Sequence, residues 1–289
     1  EKDQKTALTE INRTSQLLSA LLNLKLPFVL EVGVAYASTD IGFYLAVPES
    51  AVQFAMRQIH GLWPEAHVKE ADEYSVFHAG STTHGAYLKQ KRSSVLPIRT
   101  YIEAELDTFE GILSNFANLE MVGEGMGMQI VSVPAGTHAK KQVAEVLKEL
   151  KRGAPLEKAL HAKGTSTGVA GVMSTISGTH NPAEKKDREP IVVDDEAVKA
   201  ITTKVNKPLF DVNVRLVASG DTPLVADRLL EALVNSFTQF AAPLRNEFKA
   251  VLPRNQKSFL FKYTMRSYDT AEAMTLNADE VASIFHLPS

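Results

Sequence analysis

The chain has 289 residues and a formal net charge of −3, with 44% hydrophobic and 22% charged residues. That length holds one large domain or two ordinary ones, and the balance fits a globular chain rather than a disordered one. The slight acidity excludes a chain that is basic throughout, as dedicated nucleic-acid binders usually are, and the absence of cysteine excludes disulfides, thiolate chemistry and Cys-ligated metals.

No apolar run approaches the ~20 residues that span a bilayer. The longest candidate, Leu17 to Leu24, is short and interrupted by polar residues. The chain opens on Glu1 rather than Met; a trimmed or processed end is expected, with any membrane segment lying upstream.

Thr6 to Asn23 predicts a helix, because Leu8, Ile11, Leu18, Leu21 and Leu22 recur on one face before Pro27. Alternation over Phe28 to Tyr36, a turn at Ser38-Thr39-Asp40, and Ile41, Phe43, Leu45 and Val47 predict a β-hairpin. A helix from Pro48 to about His60 follows, closed by Trp63-Pro64, with a short strand expected at Ala66 to Lys69. Tyr74 to Phe77 and Gly85 to Lys91 read as a strand pair, and Leu96 to Arg99 as an extended piece. Asp107 to Leu119 is an amphipathic helix, Met128 to Val133 a strand, and Thr137 the expected N-cap of a helix running to Lys151.

Gly164 to Pro190 is rich first in Gly, Ser and Thr and then in charge, and reads as a linker or long surface loop. Beyond it come a helix near Asp194 to Lys204, an alternating strand at Leu209 to Ala218, and a helix from Asp221 through Phe240 with Asp221 as cap. A strand at Phe248 to Leu252 and a final short helix complete the series. Asn277 and Glu280, three residues apart, form a capping-box pattern before that last helix.

The strand, turn, helix, strand order near 28–70 returns near 209–252, with a shorter echo at 128–151. The expected fold is therefore α+β: a two-layer sandwich of ferredoxin-like β-β-α-β units with a mainly antiparallel sheet. The expected organisation is a first α+β domain at 1–163, a linker at 164–190, and a second α+β unit at 191–289.

Residues that could carry chemistry read mostly as structure. Gly123-Glu124-Gly125-Met126-Gly127 precedes a strand, whereas a phosphate loop needs glycines that open a helix and a following Lys-Ser or Lys-Thr. It reads as a flexible entry into that strand. No P-loop occurs. None of the eight histidines has metal-ligand spacing, although His78 and His84 could meet across a hairpin. Asp194, Asp195 and Glu196 stand at a predicted helix start, where acidic side chains favour the helix dipole. No catalytic residue, metal ligand or cofactor is expected.

Lys89, Lys91, Arg92 and Arg99 flank one strand pair, and Lys140, Lys141, Lys148, Lys151 and Arg152 line one helix. Lys89, Lys91, Arg92, Lys140, Lys141 and Lys148 are the candidate contacts to a partner or to nucleic-acid phosphate. Aromatics are not interleaved with them, so a solvated basic face is the preferred reading.

Three stretches carry a resemblance. They are Phe43 to Pro48 leading through Gln58-Ile59-His60-Gly61-Leu62-Trp63-Pro64; Leu96-Pro97-Ile98-Arg99-Thr100-Tyr101 with Asp107 and the helix of Phe109 to Leu119; and Leu276-Asn277-Ala278-Asp279-Glu280-Val281-Ala282-Ser283-Ile284-Phe285-His286-Leu287-Pro288. Together they resemble the region before the motor in membrane-associated type IV secretion and conjugative DNA-transfer coupling ATPases, notably those of minimal-genome bacteria. The last stretch is similar to that family's Leu-Asn-x-Glu-Glu-Leu-Ala-x-Leu-Phe-His-x-Pro, with Asp279 where Glu is commoner.

The resemblance implies a non-catalytic assembly or docking region at the cytoplasmic membrane face. It also implies a downstream ATPase domain as partner, hexameric assembly, and contact with secretion-channel proteins. Nucleic acid would be engaged weakly or indirectly. The family's nucleotide-binding residues lie beyond this stretch, so none maps onto this chain. Two other readings remain: a stand-alone module that binds protein or single-stranded DNA, and a small-molecule enzyme with a dispersed site.

Overall fold

The computed structural model describes residues 2–36, 38–71, 74–119, 123–161 and 194–287. Helices and strands mix in an α+β arrangement. Helix α1 spans Lys2–Leu22, strands β1 Phe28–Val34 and β2 Ile41–Ala46, α2 Val52–Leu62, β3 Thr82–Gln90, α3 Tyr101–Ala104, α4 Glu110–Ala117 and β4 Gly125–Pro134. There follow α5 Thr137–Lys151, α6 Leu156–Leu160, α7 Asp195–Val205, β5 Leu209–Gly220, α8 Pro223–Asn235, β6 Phe248–Val251, α9 Gln256–Thr264, β7 Met274–Asn277 and α10 Ala278–Ile284.

Among the described residues the strands form one antiparallel sheet in the order β2-β1-β4-β5-β3-β6. Strand β5 is its centre. One edge of β5 pairs with the whole of β4, and the other is divided between β3 and β7. Strands from before and after 164–190 thus share one sheet; the expected linker itself lies outside the described residues.

The ferredoxin-like grouping is not the one observed. After the β1–β2 hairpin and α2, the chain crosses the sheet, and β3 pairs with β5 and β6 instead of returning beside β1. No strand forms at Ala66 to Lys69, where Ala66 and Val68 pack irregularly against the core. None forms at Tyr74 to Phe77 either: Tyr74 stacks on Tyr44 at 4.3 Å and Val76 is buried.

Two caps move by one residue. Thr222, not Asp221, accepts the Val225 amide ahead of α8, while α5 is preceded by Gly136 without a side-chain cap. The Asp194 carboxylate does cap α7, accepting the Ala197 amide at 3.0 Å.

Alternation along the strands divides the sheet cleanly. Leu30, Val32, Met128, Ile130, Val212, Val214, Leu216 and Leu88 point to one face and join α1, α4, α8 and α10 in the main core. Glu31, Gln129, Asn213, Arg215, Val217 and Tyr87 occupy the register positions between them and face the other way. There α9 lies over the sheet, its Phe259 and Tyr263 packing with Val76, Tyr87 and Val217. A third cluster joins α5, α6 and α7 through Val143, Val146, Leu150, Leu160 and Ile201.

The glycines at 125 and 127 are not a flexible entry; they lie buried within β4. A β-carbon at Gly125 would stand 2.3 Å from the Val76 carbonyl oxygen, and one at Gly127 2.2 Å from the Tyr263 hydroxyl. Only glycine allows that approach.

Candidate functional site at the C-terminal helix

Helix α10 is short, yet every residue from Ala278 to His286 is buried. Its start is set by the capping box visible in the sequence. Asn277 Oδ1 accepts the Glu280 amide, and Glu280 Oε2 accepts the Asn277 amide, each at 2.8 Å. Glu280 does more than cap. Its Oε1 accepts the Ile98 amide at 3.0 Å, and Lys204 Nζ lies 2.9 Å from Oε2. Lys204 also donates to the Thr275 carbonyl at 2.9 Å.

Lys204 and Glu280 have side-chain exposures of 2% and 0%. Burial pulls the Lys204 ammonium below its ordinary pKa, and the Glu280 charge opposes that pull. Such a pair persists only because the surrounding hydrogen bonds satisfy both groups.

The other two stretches of the resemblance close around this helix. Ser283 Oγ accepts the Tyr101 amide at 3.0 Å, and the Ser283 carbonyl accepts from Thr108 Oγ1 at 2.6 Å. His286 Nε2 lies 3.2 Å from Asp107 Oδ2, while Asp107 Oδ1 accepts the amides of Phe109 and Glu110. Phe285 meets Phe43 and Phe109 with ring centroids 6.1 and 5.6 Å away. Residues from β2, from the 96–109 segment and from the C-terminal stretch therefore make one junction.

Helix α1 closes its remaining side. Ser15 donates to Asp279 at 2.7 Å, the Leu287 amide to Thr14 at 3.4 Å, and Trp63 Nε1 to Glu10 at 2.7 Å. The first and last described helices are thus held directly together.

A family model described as a domain of unknown function, DUF8128, matches residues 33–289. The chain belongs to that family. No curated protein and no solved structure matches it. The DUF8128 match takes in β2, the 96–109 segment and α10, so the whole junction except α1 lies within it.

The six candidate basic contacts of this DUF8128 chain fall into two groups. Lys89, Lys91 and Arg92 each face a carboxylate, from Glu272, Glu247 and Glu157, at 2.8–2.9 Å. Lys140, Lys141 and Lys148 are exposed on α5 and, among the described residues, carry no ion pair. The segment that carries Arg92 packs against α5, where Gln142 Nε2 donates to Ser93 Oγ at 3.4 Å. Histidines pair with single carboxylates: His84 with Asp227, and His78 with Asp221 at 3.8 Å. Among the described residues no cluster of His, Asp and Glu could hold a metal ion, and no helix is long and apolar enough to cross a membrane.

A second polar assembly escaped the sequence reading. Glu31 accepts from Arg266 Nε at 2.9 Å and Nη2 at 3.1 Å, from Gln129 Nε2 at 2.7 Å and from Tyr74 at 3.2 Å. Arg215 donates to Gln129 Oε1 at 2.8 Å, to the Lys262 carbonyl at 3.0 Å, and to the Ser267 carbonyl. This network pins the end of α9 to the sheet. Its polar positions alternate with apolar ones in each strand, so in the sequence they look like solvent-facing residues.

Proposed function

We propose that this chain is the non-catalytic pre-motor region of a membrane-associated ATPase of the type IV secretion and conjugative-transfer kind. Its role there is to assemble or dock the motor at the cytoplasmic membrane face. One observation carries the reading. The three stretches whose wording resembles that family lie far apart in sequence but pack around α10, as parts of a single inherited unit would. The contact of α1 with α10 suits the role, because it couples whatever precedes α1 to whatever follows Leu287.

On this reading the partners are a downstream ATPase domain, neighbouring copies in a hexameric ring, and channel proteins. Nucleic acid is handled by the motor. No cofactor is bound by this region. The deciding observation is the parent reading frame: a Gly-x-x-x-x-Gly-Lys-Ser/Thr loop within the domain that follows Ser289 is expected, and a natural stop codon at that point defeats the proposal. Crosslinking of the chain with that downstream domain, followed by gel filtration, tests the docking role; absence of association in both assays removes it.

A further inference from the structure

The sheet ends at β6, whose outer edge carries no backbone pairing among the described residues. Over the face of the β3–β6 pair, between those two strands and α9, runs an open groove of about 530 Å³ that reaches the last strand. Lys89, Lys249, Arg254 and Lys262 line it, against Asp269 and Glu272, which leaves two positive charges in excess. The excess has a location. Lys262 is held by Asp269 at 2.5 Å and Lys89 by Glu272 at 2.9 Å. Lys249 stands directly opposite Lys89 across the β3–β6 pair, and like charges in that position repel. Among the described residues Lys249 and Arg254 have no carboxylate partner, and both are exposed. Leu252, at the end of the strand, is 73% exposed.

We propose that an acidic, extended peptide segment of a partner protein adds a strand to the free edge of β6, with its carboxylate side chains turned over the sheet face into this groove. The free edge supplies main-chain donors and acceptors, and Lys249 and Arg254 select carboxylates at alternate positions. Leu252 offers an apolar contact. A single nucleic-acid strand fits less well. The aromatic rings lining the groove, Tyr87 and Phe259, are buried edge-to-face against each other and present no face for a base. The inference uses only the groove, so it stands or falls separately from the pre-motor reading.

The test is fluorescence anisotropy on the full chain with a labelled peptide of alternating valine and glutamate, roughly eight residues long. Saturable binding is expected, weakened by salt and reduced roughly ten-fold by Lys249→Glu with Arg254→Glu. A thermal melt confirms that this doubly substituted chain is folded, and both side chains are exposed in any case. Strand addition also slows amide exchange at Phe248 to Val251, a readout that loose electrostatic association does not move. Equal binding of a valine–lysine peptide, binding of oligothymidine in place of the acidic peptide, unchanged affinity in the variant, or unprotected β6 amides each overturns the proposal.

Discussion

Lys204 and Arg215 are both buried cations, 2% and 0% exposed, but the structure neutralises them in different ways. Lys204 meets a carboxylate, Glu280, on a helix that is itself enclosed. Arg215, on the opposite face of the sheet, faces no carboxylate directly. Its guanidinium is spread over carbonyl and amide oxygens from Gln129, Asn213, Lys262 and Ser267. An ammonium is a compact charge that needs a counter-ion when dry, whereas a planar guanidinium can divide its charge among several dipoles. The α10 junction is therefore brittle to loss of one partner, and the α9 face should fail by degrees.

The largest expected effect is at the brittle end. Lys204→Met leaves the Glu280 carboxylate buried without its cation and should cost about 3–5 kcal/mol in urea denaturation. Adding Glu280→Gln, which removes the stranded charge and keeps one oxygen for the Asn277 amide at the expense of the Ile98 amide, should recover part of that loss. A double variant no more stable than Lys204→Met would show that the charge pair is not what the junction depends on. Next comes Arg215→Met. It orphans the carbonyls of Lys262 and Ser267 together with Gln129, for roughly 2–4 kcal/mol. The damage should be local: amide exchange should rise over α9 before the sheet opens, and uniform acceleration along the chain would contradict the comparison.

The same two regions differ in how far the sequence announces them. The junction helix was legible because Asn277 and Glu280 encode its start within four residues, and capping is local physics. The hairpin, β5 and the N-terminal helix were equally legible from periodicity. Helix α9 was not, because only Phe259 and Tyr263 point inward while Phe261 and Met265 are 64% and 59% exposed. Its apolar pattern therefore marks no single face. β7 is four residues long and runs straight into α10, too short for alternation to register. Alternation also says which side of a strand a residue takes, never whether that side is covered. Glu31, Gln129 and Arg215 therefore read as ordinary outward residues until α9 is seen over them. Charge was readable at Lys89, Lys91 and Arg92, but their carboxylate partners come from distant segments.

A smaller effect sharpens the account of the α9 face. Gly127→Ala places a methyl group against the Tyr263 hydroxyl, which must move. Overpacking of this kind costs about 1–3 kcal/mol. Tyr263→Phe in the same chain removes the obstructing oxygen and should restore part of the stability, measured as a shift in the urea midpoint. If it does not, the glycine is required for some reason other than this approach.

The smallest effect returns to the α10 junction and is a matter of pH. Burial pushes the Asp107 carboxyl up, but the hydrogen bond and charge of His286 and the amides of Phe109 and Glu110 outweigh it and hold the pKa below the ordinary aspartate value. A group whose pKa is depressed by folding contributes stability above its unfolded pKa, about 3.9, and loses it as pH falls through the folded value. Asp107→Asn keeps an oxygen that can accept the two amides, removes the charge, and turns an NH2 donor toward His286 Nε2. Its cost at neutral pH should be about 0.5–1 kcal/mol, because the side chain is partly open to water and its field is screened. The gap between the native chain and the variant should then narrow as the pH drops below about 4, since the native carboxyl is then itself becoming neutral. A gap that stays the same width down to pH 3 would mean that the Asp107 charge, and with it the ionic part of the His286 contact, contributes nothing to holding the C-terminal stretch in place.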